Sequence, residues 1–291
     1  MENKKFQKVS IVSEFSQDGK RRISASGIST YADAPAKYWG KYINPNRPPE
    51  KSTTAKDFGR EFHLFMEDEA KFWQSHAIMP KYDLRTKDGK SDRAMWDLEN
   101  SGKTGITQDQ ADEFKLMKAS FEASNFGQLL LMAKPEIYSE LKFESTTDGQ
   151  FIQGTRGILD QLIIINNVMV IHDFKSTTSC HPDDVARDCE KFGYYEKAAF
   201  YLDQFPEVRS VVYTFIEKSY PYICHNWEIT RDNEAGKKGF AILNYAMTGL
   251  LSDLENMGSE LQPWGGYVLE KEISDLPVGK WSKRMKGGQV L

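Results

Sequence analysis

The sequence has few cysteines and none of the spacings that would organise a small fold around them. Cys180, Cys189 and Cys224 are odd in number and lack C-x-x-C spacing, which argues against a disulfide framework or a zinc site and favours a reducing cytoplasm. A ligand cluster of Cys180, Cys189 and His181 is one alternative, and ordinary buried or surface thiols are the other.

The chain also has no long apolar run, no internal repeat and no excess of positive charge. No stretch approaches the ~20 residues of a membrane span, and no apolar region follows the first five residues, so we expect neither an anchor nor a signal peptide. Its 291 residues, 40% hydrophobic and 27% charged, are typical of a globular protein. A net charge of −4 argues against bulk attraction to DNA, so any DNA binding must be local.

Two apolar runs rich in β-formers stand at the centre of the chain. They are Gly157–Ile165 and Val168–Lys175, joined by Asn166 and Asn167. A two-residue Asn-Asn connection predicts a type I′ hairpin, because asparagine tolerates a positive φ.

Each strand of this hairpin contains an acid where burial normally disfavours one. The turn places Asp160 opposite Asp173, and alternation puts Asp173 and Lys175 on one face. Two such carboxylates repel unless a cation or a shared proton lies between them. Hard oxygen ligands favour magnesium or manganese. The alternative is a surface aspartate beside an ordinary Asp173–Lys175 ion pair.

The remaining pattern predicts an α/β fold of the mixed α+β kind, with a central mixed sheet flanked by helices. Helices are predicted over about 55–71, 107–123, 184–204 and 232–256. Strands are predicted over 136–144, 208–216 and 222–229, and a loop over 24–29. We expect a single domain over 55–291 with a helical insertion at about 80–135, and an N-terminal segment, 1–54, packed on it.

The first predicted helix of that domain presents a polar face. Gly59, His63 and Glu67 are spaced by four and share it. A helical glycine costs about 1 kcal/mol, which close approach of the hairpin or of a DNA strand would offset. For His63 the alternative is a half-buried, hydrogen-bonded histidine. His76 is expected in a loop.

The helix after the hairpin has a stripe of two cations and two tyrosines, which suits phosphate contact and stacking on a base or sugar. The stripe comprises Arg187, Lys191, Tyr194, Ala198 and Tyr201. The apolar stripe beside it comprises Phe192, Tyr195, Ala199 and Leu202. A solvated helix face is the alternative. Arg156 is a further phosphate candidate, because a guanidinium can fork onto phosphate oxygens.

Together these motifs resemble the PD-(D/E)xK nuclease superfamily. The resemblance rests on G-x-x-D at Gly157–Asp160, on Asp173-Phe174-Lys175, and on Tyr194 and Tyr201. A G-x-x-x-H helix at 59–63 is similar to the RecB-like branch. Segments 217–222 and 263–267 narrow the resemblance to the RecE-type nuclease domain (exonuclease VIII) of phages and prophages, over roughly 55–285.

This resemblance implies a restriction-endonuclease-like core and a Mg²⁺-dependent 5′→3′ exonuclease acting on double-stranded DNA ends, with Mn²⁺ as a substitute. It also implies a bacterial cytoplasm, phage or prophage encoding, a single-strand annealing protein as recombination partner, and a homo-oligomeric ring. The implied ligands are His63, Asp160, Asp173 and the backbone carbonyl of Phe174, with Lys175 as the catalytic lysine. Lys197 stands where the branch has glutamine, and an ammonium there can hold a phosphate.

Several roles remain open at this point. Lys175 is expected to orient water or neutralise the transition state, with a pKa depressed near a metal. Glu67 and Glu140 are candidates for supporting the ligands, or are structural acids. The competing functions are an endonuclease or flap nuclease on the same fold, and a DNA-binding assembly protein with a degenerate core. The intact set of Asp160, Asp173 and Lys175 argues against the last.

Overall fold

A six-stranded sheet with helices on both faces forms the centre of the molecule. The computed structural model describes residues 9–50, 52–256 and 264–265, and the backbone of 285–286 and 289–290. Within these residues the strands are β1 (Ser10–Ile11), β2 (His76–Ile78), β3 (Thr104–Ile106), β4 (Glu136–Glu144), β5 (Arg156–Ile165), β6 (Val168–Thr177), β7 (Val208–Glu217), β8 (Cys224–Thr230), β9 (Met285–Lys286) and β10 (Gln289–Val290).

The sheet order is β1-β4-β5-β6-β7-β8, with β6 and β7 parallel and all other neighbours antiparallel. The predicted mixed sheet is thus confirmed. Two small pairs lie outside it, parallel β2–β3 and antiparallel β9–β10.

The helices are α1 (Ala25–Asp33), α2 (Pro35–Tyr38), a π-helix (Trp39–Ile43), α3 (Thr54–Glu67), α4 (Glu69–Ser75), α5 (Lys87–Glu99), α6 (Gln108–Ala123), α7 (Asn125–Ala133), α8 (Pro182–Phe192), α9 (Tyr194–Gln204) and α10 (Glu234–Glu255).

The central hairpin has the predicted turn and register. Asn166 and Asn167 have φ values of 48° and 65°, as a type I′ turn requires. Gln161 lies opposite His172, and the same register places Asp160 opposite Asp173. The position of the two acids therefore follows from the length of one turn.

Each face of the sheet packs against its own core. One core lies between the sheet and helices α1, α9 and α10, and the other lies against α3 and α6, where Phe62, Phe65, Phe114 and Phe174 meet. A strand buried on both faces reads as a continuous apolar run. This explains why β7 was recognisable as buried from its composition.

Two predicted boundaries near the N-terminal end are wrong. Segment 24–29 is not a loop, since α1 begins there and the Ser24 side chain accepts a hydrogen bond from the backbone N–H of Gly27. The predicted helix over 55–71 ends at Glu67. Asp68 is extended and caps the next helix, and the break brings Phe65 and Phe72 edge to face at 5.3 Å.

The predicted single helix over 184–204 is also wrong. It is divided into α8 and α9 at Gly193, whose φ of 68° is the left-handed conformation that favours glycine. A Cβ at Gly193 would meet the side chains of Ser29 and Glu196. The helix starts at Pro182, two residues earlier than expected, and is capped by His181. The stripe read as one helix face is therefore split between two helices.

The N-terminal segment contacts the rest of the molecule through α1, which packs on α9 and α10. The Tyr31 hydroxyl donates a 2.6 Å hydrogen bond to Asp253, and β1 extends the sheet beside β4. The division at residue 54 and the insertion at 80–135 remain predictions. In the described part of the chain, no helix combines the length and apolarity that crossing a bilayer requires.

The three cysteines are free thiols. The Cys180 thiol lies 3.3 Å from the carbonyl of Phe215 and 3.2 Å from that of Ile223. These contacts satisfy a buried thiol in the ordinary way.

Candidate metal centre and its groove

Three side chains from three elements converge at one end of the central hairpin. His63 comes from α3, Asp160 from β5 and Asp173 from β6, and one ligand atom of each lies within 4.8 Å of the other two. The His63 Nδ1 atom lies 3.7 Å from Asp160 Oδ2, and its Nε2 atom lies 3.6 Å from Asp173 Oδ1. The predicted trio is therefore together in space.

The Asp173 carboxylate provides a test of whether a cation fits this cluster. Its Oδ1 atom is buried and has no hydrogen-bond partner among the described residues. A buried polar oxygen left unpaired is costly. Two carboxylates and an imidazole form a donor set that suits a divalent ion, so the residues present fit a metal at this position.

The two carboxyl groups have opposite pKa shifts, as expected of neighbouring acids that share one charge. Burial and the adjacent Asp173 raise the pKa of Asp160 above its usual range. For Asp173, burial acts to raise the pKa, but Lys175 and His63 outweigh it and the pKa is lowered. In the metal-free protein, Asp160 is therefore the acid that holds the proton.

Lys175 is the cation of this cluster, and in the metal-free protein its pKa is raised; the depressed pKa expected near a metal remains a prediction. Burial acts to lower the pKa, but the carboxylates of Asp173 and Asp160 more than offset it. The ammonium forms an ion pair with Asp173 and lies 5.2 Å from the Tyr194 ring and 5.8 Å from the Tyr213 ring. Lys175 is thus a charged group enclosed by aromatic rings.

The two candidate supporting acids occupy different environments. Glu67 is buried, with its Oε1 atom 3.7 Å from His63 Nδ1, so it adjoins the ligand set. Glu140 has a φ of 52°, and its half-exposed carboxylate forms an ion pair with Lys71. This engagement with Lys71 favours the structural alternative for Glu140.

The glycine of the G-x-x-D motif has a steric role. A Cβ at Gly157 would lie 2.7 Å from the Phe143 ring and 3.6 Å from the Tyr201 ring. Tyr201, a predicted DNA contact, packs edge-on against Phe143, with its hydroxyl 3.4 Å from the carbonyl of Ile158. The Phe174 ring is buried, and the ligand role of its carbonyl remains a prediction.

A groove of about 480 Å³ begins at His63 and Lys175 and runs between α3 and α8. Of the predicted DNA contacts, Lys191 and Tyr194 line it. Ala198, expected on the same stripe, is fully buried. The groove thus brings together only part of the predicted stripe.

The other predicted DNA contacts have intramolecular partners. Arg187 forms an ion pair with Asp184. The Arg156 guanidinium lies 5.5 Å from the Phe15 ring. The Lys197 ammonium donates a 2.6 Å hydrogen bond to the carbonyl of Phe192 and lies 5.5 Å from the Tyr194 ring. Their contacts with DNA remain predictions.

The groove also has basic residues that sequence reasoning missed. Lys56 and Arg60 on α3 line it, as does Lys218 just after β7. Lys56 and Arg60 are four apart, and Lys56 is seven before His63, so helical spacing contained a signal for them. No sequence pattern indicated Lys218, because the crossover connection from β6 to the parallel strand β7 brings it to the site.

Two expectations are wrong, the approach of the hairpin to Gly59 and a loop at His76, whereas the approach of a DNA strand to Gly59 remains a prediction. A Cβ at Gly59 would meet nothing within 4 Å, so the hairpin does not approach this glycine, which instead lines the groove. His76 is not in a loop. It is buried in β2, hydrogen-bonded to Glu61 and stacked 4.0 Å from the Phe72 ring.

Comparison with known proteins gives consistent matches. Residues 22–218 match the family model described as the PD-(D/E)XK nuclease superfamily. A candidate exonuclease from Eubacterium rectale has a similar fold, with a TM-score of 0.55, 14% identity, and coverage of 90% of this chain and 97% of that one. A phage-related exonuclease from Haemophilus somnus gives a TM-score of 0.32, 14% identity, and coverage of 81% and 97%. An alkaline exonuclease from Laribacter hongkongensis gives 0.26, 10%, and coverage of 68% and 89%. Curated protein sequences gave no match.

Proposed function

Because the chain belongs to the PD-(D/E)XK nuclease superfamily, we propose that it is a Mg²⁺-dependent deoxyribonuclease. One observation supports this above the others. The buried Oδ1 of Asp173, which has no hydrogen-bond partner among the described residues, lies in a cluster with His63 and Asp160, beside a charged lysine. Two ionised carboxylates held this close would repel each other without a shared cation.

His63, Asp160 and Asp173 would hold the ion, together with the carbonyl of Phe174. When bound, a divalent ion supplies an acidified water and charge stabilisation at the attacking and leaving oxygens. Lys175 contributes a fixed positive charge, which orients the water or neutralises charge on the phosphate in the transition state. The Tyr194 and Tyr213 rings exclude solvent from that ammonium, which strengthens its electrostatic effect.

The finer proposal follows the RecE-type resemblance. The enzyme would degrade double-stranded DNA from its ends, 5′→3′, and leave single strands for an annealing protein in recombination, with Mn²⁺ able to replace Mg²⁺. A homo-oligomeric ring around DNA and a phage or prophage origin belong to the same proposal. Cations lining the groove beside the cluster support DNA as the substrate.

The test is digestion of linear duplexes labelled at the 5′ or the 3′ end, with Mg²⁺, with Mn²⁺ and with EDTA. We expect metal-dependent loss of the 5′ label first. Asp173→Ala and Lys175→Ala should each lower the rate at least about 10²-fold, the usual cost of removing one stabilising group. The matched controls are Asp109→Ala and Lys81→Ala, which break an exposed 2.9 Å ion pair elsewhere.

A rate near wild type in either cluster variant would refute the assignment. A covalently closed circle in the same assay separates the exonuclease from an endonuclease, because only the latter cuts a substrate without ends. Calorimetric titration with Mn²⁺ addresses the non-enzymatic alternative, which predicts no binding.

A further inference from the structure

Phe192 lies at the rim of the groove, although its sequence pattern assigned it to a buried stripe. It is the last residue of α8, and 43% of its surface is exposed. The same groove is lined by His63, Lys175 and Tyr194. An apolar ring therefore stands open to solvent in a groove that otherwise presents mainly cations and polar groups.

The backbone around this ring is held from several directions. Gly193 takes the left-handed conformation, and its N–H donates to the carbonyl of Cys189. The Phe192 carbonyl accepts a 2.6 Å hydrogen bond from the Lys197 ammonium. Since Lys197 reaches the chain that bears Phe192, we assign it a positioning role for this ring.

The neighbours of the ring suit a nucleotide. The Lys191 ammonium lies 5.0 Å from the Phe192 ring centre, and the Tyr194 ring lies 5.8 Å away at an angle of 31°. An ammonium can hold a phosphate, whereas a phenyl ring offers only an apolar face. Among the parts of DNA, the base is the group that stacks on such a face.

We infer that Phe192 forms a stacking subsite for the base of an unpaired nucleotide next to the cleavage site. The inference rests on the proposed nuclease function, and it specifies the state of the DNA substrate next to the scissile phosphate. Bases inside a duplex already stack on their neighbours, so a ring on the groove wall is available only to a nucleotide that has left the stack. The groove would thus admit a strand end that is locally unpaired.

The test is a thermodynamic cycle between the ring and the base. Duplexes with a four-nucleotide 5′ overhang, intact or with an abasic tetrahydrofuran at successive positions near the junction, are titrated by fluorescence anisotropy in Ca²⁺. At one position the wild-type protein should lose about tenfold in affinity when the base is absent, or about 1.4 kcal/mol. Phe192→Ala should bind intact DNA about tenfold more weakly and lose nothing further at that abasic position.

Phe192→Trp should restore both the affinity and the dependence on the base, which a merely structural ring would not predict. Phe192→Leu keeps apolar volume without the ring, so it replaces the alanine variant if that protein does not fold. Tyr138→Ala removes an aromatic side chain of nearly equal exposure, 44%, outside the groove, and should behave as wild type. The inference would be overturned if Phe192→Ala lost the same affinity, relative to wild type, for intact and for abasic DNA. Wild-type affinity in both Phe192→Ala and Phe192→Leu would overturn it as well. Binding in Ca²⁺ is read without cleavage, so absence of digestion in Mg²⁺ would refute the proposed function alone.

Discussion

At the residue scale, the cluster is governed by two carboxyl groups that cannot both be ionised cheaply. Asp173 keeps its charge because Lys175 and His63 favour it, and Asp160 is left with a raised pKa. The ionised form of Asp160 is repelled by the neighbouring carboxylate. It becomes a good ligand once a cation offsets that repulsion.

We predict that Mn²⁺ stabilises the wild-type protein against heat. An ion bound only by the folded state stabilises it by about 2.7 kcal/mol at a hundredfold excess over Kd. The gain should shrink as pH falls, because protons compete for Asp160. Thermal melts with and without Mn²⁺ measure this, and Asp173→Asn should lose most of the gain. An equal gain in Asp173→Asn would show that the ion binds elsewhere.

We also predict that Asp160→Asn stabilises the protein in EDTA. A carboxyl whose pKa rises on folding holds a proton that the unfolded chain has released, so its contribution to stability falls as pH increases above the ordinary value of 3.8. Because 38% of the Asp160 side chain is exposed, solvent screens much of this loss, and the variant should gain roughly 2–4 °C in Tm at pH 8, which is about 1 kcal/mol. Its melts should also vary less between pH 5 and 8. Asp109→Asn, at an exposed acid, is the control. A lower Tm for Asp160→Asn at pH 8 would contradict the assignment of the shared proton.

At the scale of elements, the hairpin and the parallel strand beside it are tied by a buried polar chain behind the ligands. His172 contacts Gln161 at 2.8 Å and Thr214 at 2.7 Å, and the Thr214 hydroxyl donates to Asn226 at 2.6 Å. These residues lie on four neighbouring strands of one sheet, β5 to β8. These hydrogen bonds satisfy buried polar side chains that come together in only one register of the strands.

We predict that Thr214→Val destabilises the protein by about 1–3 kcal/mol, the usual cost of an unsatisfied buried polar group. The shapes of the two side chains are similar, so the loss reports the hydrogen bonds to His172 and Asn226. Urea unfolding provides the measurement. Ser210→Ala on the same strand is the matched control, because the buried Ser210 hydroxyl has no hydrogen-bond partner in the described part of the chain. A control loss as large as that of Thr214→Val would show that the polar chain contributes little.

At the scale of the whole molecule, a net negative protein must bind a polyanion through a local surface. The net charge is −4, yet Lys56, Arg60, Lys191 and Lys218 line one groove. Two of these cations also pair with acids, Lys56 with Glu50 and Arg60 with Asp57 and Glu61, but the four lie together along one surface. The groove is therefore the surface that we expect DNA to contact.

We predict that Lys56→Ala combined with Lys218→Ala reduces the salt dependence of DNA binding. Each phosphate contact contributes about 0.9 to the slope of log Kobs against log salt, so the double variant should lose about 1.8. The measurement is affinity for a duplex in Ca²⁺ between 50 and 200 mM salt. Lys81→Ala should leave the slope unchanged. An unchanged slope in the double variant would place the DNA on another surface.

The amino-acid sequence by itself determined the features set by local rules. Two asparagines specified a type I′ turn, and the period of two along the strands then placed Asp160 opposite Asp173 and Asp173 beside Lys175. The buried strand β7 followed from its largely apolar composition. These features depend on residues within about twenty positions of one another, so no distant contact was needed to predict them.

Tertiary structure decided what depends on segments far apart in the chain. Gly193 ends a helix in the left-handed conformation, and Ser29, 164 positions earlier by numbering, leaves no room for a side chain there; Phe192, the residue before it, is exposed. Lys218 reaches the groove through a crossover, and the pKa of Lys175 rises because the carboxylates of Asp173 and Asp160 outweigh the opposing effect of burial. Helical periodicity does not predict such effects, because each arises from packing between elements.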